Sequence, residues 1–108
     1  MSRVEIVVTA PLENADAIRQ VLGEAYAGVQ GEYGFCSFSV VGKGRFLPGD
    51  KANPHIGKPN KPEVVEEERI EVVCDREIAR PVIAKLRAAH PYEEPAIDVY
   101  ELLNEEGL

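Results

Sequence analysis

Hydrophobic residues recur with two different periods along the chain. In four segments they occupy every second position, which predicts strands with one buried face. In two segments they recur every three or four positions, which predicts helices with one apolar face. The alternating positions are Val4, Ile6 and Val8, then Cys36, Phe38 and Val40, then Ile70, Val72 and Cys74, and finally Ile97 and Val99; the helical positions are Leu12, Ala15, Ile18, Val21, Leu22 and Ala25, followed by Ile78, Val82, Leu86 and Ala89.

Prolines and glycines set the ends of these elements. Pro11 suits the first turn of helix one, which we expect to end near Gly28. Pro81 is tolerated only in the first turn of helix two, so this helix should begin late, with Asp75 as its N-cap. His90 precedes a proline, which displaces it from helical conformation and ends helix two. Strand four should then begin near residue 95.

The predicted elements follow one another in the order β-α-β-β-α-β. This order is typical of an α+β ferredoxin-like fold, in which two helices cover one face of an antiparallel sheet. We expect strands one and three at the centre of the sheet, a long loop between strands two and three, and a single domain over residues 1–108.

Strands two and three are expected to form a hairpin whose apolar faces coincide. This register turns Ser37 and Ser39 outward and places opposite charges side by side, which is a favourable cross-strand contact. The expected pairs are Cys36 with Cys74, Phe38 with Val72, Val40 with Ile70 and Lys43 with Glu67.

Charge narrows the range of partners. The chain has 19 acidic and 12 basic residues and a formal net charge of -7, which argues against binding nucleic acid or an anionic membrane through its whole surface. No apolar run reaches the roughly 18 residues of a membrane-spanning helix, and the start of the chain has no apolar signal stretch. We therefore expect a cytoplasmic protein that binds neither nucleic acid nor membrane.

The predicted long loop is the basic part of this acidic chain. Residues 43–61 contain five basic residues and one acidic residue. Glycines on both sides of Lys43 would leave backbone N–H groups free for a phosphate, and neighbouring cations would supply charge. The alternative is a solvated hairpin extension that contacts a neighbouring subunit. The candidate anion-binding residues in this segment are Gly42, Lys43, Gly44, Arg45 and Lys58.

Two further groups of residues could carry chemistry. His90 and Glu93 could bind a divalent metal, although the prolines around them also fit a rigid turn. Cys36 and Cys74, if paired across strands two and three, could form a disulfide or hold a soft metal. In a cytoplasmic chain we expect them to be buried, reduced thiols instead.

Four ordered motifs resemble the PII/CutA-like insert domain of the NGG-interacting factor three family, the YqfO-type proteins. The segment that begins at His90 is also similar to the one before the last core strand of CutA proteins, which are linked to divalent-cation tolerance. The motifs are YGFCSFS at residues 33–39, GKGRFLPG at 42–49, ANPHIG at 52–57 and HPYEEPAIDVY at 90–100.

The resemblance implies a ferredoxin-like domain that forms trimers by joining sheet edges. In larger family members this module interrupts another domain, whose histidines and carboxylates hold a two-metal site. Only His55 and His90 occur here, so one subunit cannot build that site and no catalytic residue is carried over.

The leading hypothesis is a stand-alone, non-enzymatic PII/CutA-like oligomer with a binding or regulatory role and no cofactor. Its site would bind a small anionic ligand, or a partner protein, between subunits. One alternative is a divalent metal-binding protein of CutA type, with His90, Glu93, Cys36 and Cys74 as candidate ligands. Another is an accessory domain of a family associated with metal-dependent hydrolases. The candidate ligand-binding residues are Gly42, Lys43, Gly44, Arg45, Lys58, His90, Tyr92 and Glu93.

Overall fold

The chain folds into four strands and two helices in the expected β-α-β-β-α-β order in the computed structural model, which describes residues 2–108. All strand pairs are antiparallel, and the sheet order β2-β3-β1-β4 places β1 and β3 at the centre. The α+β ferredoxin-like prediction is confirmed. The elements are β1 (Arg3–Pro11), α1 (Leu12–Glu24), β2 (Phe38–Phe46), β3 (Glu63–Asp75), α2 (Ala79–Ala89) and β4 (Ile97–Leu102), with short 3-10 turns at Arg76–Ile78 and Glu105–Gly107.

The hydrophobic core lies between the helices and one face of the sheet. Ile6 of β1 and Ile70 of β3 are fully buried beneath Ile18 of α1 and Leu86 of α2. Burying each such side chain contributes about 1.5–3 kcal/mol. Alternate strand residues point to the other sheet face, which we call the open face. No helix within residues 2–108 covers the open face. None of the helices found within residues 2–108 is long and apolar enough to cross a membrane.

The predicted register of the β2–β3 hairpin is wrong by one residue. Ser39, not Val40, lies opposite Ile70, and Phe38 lies opposite Glu71. Ser39 therefore shares the helix-covered face, where Arg19 of α1 donates a hydrogen bond to its hydroxyl at 3.1 Å. The same guanidinium forms an ion pair with Glu68. The helix-covered face of β2 therefore makes a polar contact with α1 through Ser39, where the prediction had placed the apolar side chain of Val40.

The one-residue shift changes the partners of three predicted pairs. Phe38 and Val40 lie on the open face and are 63% and 47% exposed. Lys43 lies opposite Glu66 instead of Glu67. Cys36 precedes β2 and is not paired with Cys74, so both thiols are free and the disulfide alternative is excluded; Cys74 is buried and Cys36 is half-buried.

Several element ends also differ from the prediction. The regular pairing of β2 continues to Phe46, so Gly42 to Arg45 lie in a strand and the irregular loop covers only residues 47–62. Pro11 is the last residue of β1 and precedes the first turn of α1. Asp75 makes no side-chain capping bond, because a 3-10 turn separates it from α2. Pro81 does lie in the first turn of α2, as predicted.

Candidate functional site

A cleft of about 730 Å³ lies on the open face, between the ends of β2 and β3, the loop of residues 47–62 and the turn of residues 90–96. This volume is in the range that holds a small-molecule ligand. We call it the binding cleft. Its polar and aromatic lining includes Thr9, Gly42, Lys43, Gly44, Arg45, Phe46, His55, Glu67, Arg69, Tyr92, Glu93 and Glu94.

The Glu67 carboxylate lies in the wall of the cleft and is only 8% exposed. One oxygen, Oε2, accepts a hydrogen bond from the Tyr92 hydroxyl at 2.7 Å. The other, Oε1, lies where the Cβ of any side chain at position 44 would be, 1.9 Å from that point. A side chain at position 44 would therefore displace the carboxylate from the space next to the backbone of β2.

Tyr92 joins the carboxylate to an aromatic cluster. Its ring centroid lies 6.2 Å from that of Phe46, 6.3 Å from that of His55 and 5.1 Å from that of His90. Burial, together with the hydrogen bond to Glu67, raises the pKa of Tyr92, so the hydroxyl keeps its proton at neutral pH. The hydroxyl donates this proton to Glu67. The aromatic ring of Tyr92 lines the cleft.

His90 fixes the turn behind Tyr92. Its Nε2 lies 2.8 Å from the carbonyl oxygen of Thr9, and its Nδ1 accepts the backbone N–H of Tyr92 at 3.1 Å. These partners require the neutral ring with its proton on Nε2. Burial lowers the pKa of His90, which favours the same neutral form. His90 thus positions Tyr92 from beneath and does not line the cleft.

Backbone contacts hold the loop of residues 47–62 over the cleft. The N–H of Asn53 donates to the Glu93 carboxylate at 3.1 Å, which ties the loop to the turn before β4. Asn60 closes the base of the loop: its N–H donates to the Pro48 carbonyl at 2.7 Å and its side chain to Asp50 at 2.6 Å. The loop is therefore a fixed wall of the cleft.

Three cations and three carboxylates line the cleft, although the chain as a whole carries -7. Arg69 lies on the open face, and its Nε donates to Glu71 at 3.0 Å. Lys43 and Arg45 alternate with the glycines of β2, so their side chains leave the strand on the side opposite Glu67; both are exposed and line the cleft at its rim. Neither forms an ion pair with any residue between 2 and 108, so we call them the rim cations.

The structure brings together six of the eight candidate ligand-binding residues. Lys58 lies outside the cleft and His90 lies beneath it. Sequence reasoning expected Glu67 only as the cross-strand partner of Lys43, and it gave no ligand-binding role to Glu67, Phe46, His55 or Arg69. The residues that line the cleft among the eight are Gly42, Lys43, Gly44, Arg45, Tyr92 and Glu93.

The four candidate metal ligands lie in separate places. Both ring nitrogens of His90 have hydrogen-bond partners, and Glu93 is bonded to the loop. Cys74 belongs to the core, where burial raises the pKa of its thiol, and Cys36 lies before β2. In the part of the chain from residue 2 onward, no three His, Cys, Asp or Glu side chains are grouped so that they could hold a metal ion.

Comparison with known proteins identifies the relatives of this fold. The chain is 47% identical over 97 residues to a GTP cyclohydrolase 1 type 2 homolog of Mycobacterium tuberculosis, and the match covers 90% of this chain and 26% of that protein. It is 42% identical over 104 residues to the protein of the same name from Halalkalibacterium halodurans, which covers 96% of this chain and 28% of that one. No protein-family model matches.

Among solved structures, a Bacillus cereus protein related to NIF3 superposes with a TM-score of 0.83 at 40% identity, over 95% of this chain and 26% of that one. The resemblance to the NGG-interacting factor three family is confirmed. The chain spans about a quarter of the length of the curated family members it matches. It is therefore similar to one segment of these proteins.

The second predicted likeness, to CutA, is also found. The periplasmic divalent cation tolerance protein CutA of Archaeoglobus fulgidus is 26% identical, with a TM-score of 0.67, over 98% of this chain and 87% of that one. CutA of Pyrococcus horikoshii has a TM-score of 0.68 at 17% identity, which shows the shared fold alone. The chain is thus a PII/CutA-like module.

Proposed function

We propose that this PII/CutA-like module binds a small anionic ligand in the binding cleft and acts as a binding or regulatory unit. The observation that carries the proposal is the pair of rim cations, Lys43 and Arg45, beside a preformed cleft. Neither cation forms an ion pair within residues 2–108, so both are available to an anionic group of a ligand. Cations attract phosphate and carboxylate groups through charge-assisted hydrogen bonds.

The proposal differs from the reaction named in the relatives. They are called GTP cyclohydrolase 1 type 2 homologs, and the chain matches about a quarter of their length. We assign to the chain a ligand-binding role and no catalytic residue. The separation of His90 and Glu93 from Cys36 and Cys74 favours an anionic ligand over a divalent metal as the occupant of the cleft.

Binding of a simple phosphorylated compound tests the role of the rim cations. We expect replacement of both Lys43 and Arg45 by alanine to weaken ribose 5-phosphate binding roughly tenfold, because an ion pair between exposed groups contributes about 0.2–1 kcal/mol and two such contacts are lost. Lys58→Ala is the matched control, since Lys58 has the same charge but lies outside the cleft. Isothermal titration calorimetry measures all three proteins. Equal weakening by the Lys58 variant would move the anion site out of the cleft.

We further propose that the module is a homotrimer, with its clefts completed by neighbouring subunits. Phe38, Val40 and Tyr100 expose apolar area on the open face, and β2 and β4 are unpaired sheet edges. Exposed strand edges and apolar area are what subunit contacts cover. We expect native mass spectrometry to give a mass three times 11.9 kDa. A monomer over the accessible concentration range would contradict this proposal.

A further inference from the structure

The Glu67 carboxylate has an unused acceptor at the surface of the binding cleft. It is more than nine-tenths buried, and its Oε2 accepts the Tyr92 hydroxyl. Its Oε1 lies against Gly44 and accepts no hydrogen bond from residues 2–108, and no Lys, Arg or His in that range forms an ion pair with the carboxylate. A buried carboxylate without a compensating charge is costly, so a donor from a ligand would stabilise it.

The ligand group that meets this oxygen has to donate. An ionised carboxylate only accepts hydrogen bonds, and the Tyr92 hydroxyl proton is already directed at the other oxygen of Glu67. A carbonyl or phosphate oxygen at this point would be repelled by the carboxylate. The rim cations Lys43 and Arg45, in turn, disfavour a ligand whose only polar group is a free ammonium.

The rest of the wall beside Glu67 suits a flat ring. Tyr92 stands at the centre of the aromatic cluster, with Phe46 and His55 tilted against it at 60° and 56°. Pro54 and Ile56 of the fixed loop also line this part of the cleft. Aromatic and apolar surfaces at this spacing accept a planar ring by stacking or edge contacts.

We propose that the binding cleft recognises a planar nitrogen heterocycle that directs ring or amino N–H groups at Glu67 Oε1, while an anionic group attached to it reaches Lys43 and Arg45. This inference rests on the proposed function, because it names the part of the anionic ligand that enters the cleft. The ring lies against Tyr92, Phe46 or His55. Glu67 supplies the selectivity for donors, and the rim cations supply the affinity for the anion.

Guanosine 5'-monophosphate is the probe, because its base presents adjacent N–H donors and its phosphate supplies the anion. Ribose 5-phosphate is the comparison, because it has the same phosphorylated sugar without the base. We expect the parent protein to bind the nucleotide at least roughly tenfold more tightly, because hydrogen bonds to an ionised group are among the strongest that a ligand makes. Calorimetry gives both dissociation constants under one buffer and salt condition.

Variants at the carboxylate identify the source of this preference. Glu67→Gln replaces the charge with an amide of the same shape, and we expect it to remove most of the preference while changing ribose 5-phosphate binding less than about twofold. Gly44→Ala should have the same effect, because its Cβ would displace the carboxylate. Gly42→Ala is the matched control on the same strand, since its Cβ would meet no atom within 4 Å.

The outcomes separate this inference from the proposed function. Equal affinity for the two probes, or a preference that persists in Glu67→Gln and Gly44→Ala, would overturn donor recognition and leave the anion site standing. Failure of both probes to bind the folded parent would overturn the two together. A preference lost in both carboxylate variants and kept in Gly42→Ala would establish the assignment.

Discussion

Replacing Gly28 with alanine should lower the free energy of unfolding by about 2–5 kcal/mol. Gly28 has φ +81°, a conformation that costs a residue with a side chain about 1–2 kcal/mol. The added Cβ would also lie 2.3 Å from the carbonyl oxygen of Cys36 and 2.9 Å from its nitrogen. Since these are backbone atoms, a side-chain rotation cannot relieve the overlap.

The backbone around Gly28 cannot move without further loss. Its N–H donates to the carbonyl of Val73 in β3, and its own carbonyl accepts the N–H of Cys36, both at 2.8 Å. Each hydrogen bond contributes about 0.5–1.5 kcal/mol. Because small domains are stable by only about 5–15 kcal/mol, the variant should lose a large share of its stability.

Gly31→Ala is the matched control for Gly28→Ala. Gly31 also has positive φ, +56°, but a Cβ there would meet nothing within 4 Å. It should therefore cost only the conformational term, about 1–2 kcal/mol. Urea unfolding followed by circular dichroism measures both variants. Equal losses would show that the loop before β2 rearranges freely and that contact with Cys36 is unimportant.

The sequence predicted the parts of the fold that depend on local periodicity. The helical spacing of Ile18 and Leu22, and the alternation of Ile6 with Val8, are properties of single elements and appear in the structure as buried faces. Pro81 also acts locally, since its effect on α2 depends only on the turn that contains it. The element order then leaves few ways to assemble the sheet.

The register of β2 could not be predicted in the same way. β2 is an edge strand with a neighbour on one side only, and most of its residues are exposed. The expectation that apolar residues face the core is therefore less reliable for this strand. Phe38 and Val40 lie on the open face because Arg19, from a different element, bonds to Ser39 and Glu68 on the helix-covered face. That contact joins residues far apart in sequence, and no local pattern reveals it.

The candidate site was located by its motifs, but part of its chemistry was not. The glycines beside Lys43 were expected to expose N–H groups in a loop, whereas Gly44 lies in a strand and leaves space for a carboxylate. The run of three acidic residues at 66–68 did indicate that one carboxylate differs from its neighbours in position. Adjacent strand residues face opposite ways, so Glu67 alone points to the open face, where Tyr92 and the loop bury it.

Acidification should destabilise the protein through His90. The pKa of His90 is lowered in the folded protein, chiefly by burial, while the unfolded chain has the ordinary value of about 6.5. Below that pH the unfolded state binds a proton that the folded state does not. The contribution of His90 to the free energy of unfolding is therefore fully present above about pH 6.5. It is lost as the pH drops toward the folded pKa, by up to about 1.4 kcal/mol for each pH unit.

The environment of His90 explains why the ring resists protonation and how protonation would alter the cleft. Burial and the charge of His55 oppose the proton, whereas the Thr9 carbonyl and Glu67 favour it. A proton on Nδ1 would remove the acceptor for the Tyr92 N–H, so the turn that positions Tyr92 would loosen. In molecules that stay folded, the cleft should therefore loosen only when the pH falls to the folded pKa, below the range in which most of the stability is lost.

A pair of histidine variants isolates this contribution from that of the carboxylates. Urea unfolding of the parent, His90→Gln and His55→Gln at about pH 7, 6 and 5 gives the slope of stability with pH for each protein. His90→Gln should be less stable at neutral pH yet have the shallower slope, because it removes the group whose protonation differs between the two states. His55→Gln is the matched control, since it removes an exposed histidine and leaves the contacts of His90 with Thr9 and Tyr92 in place. If His90→Gln kept the parental slope, other groups would account for the acid sensitivity, and the bond from Nδ1 to Tyr92 would be a fixed structural contact at every pH.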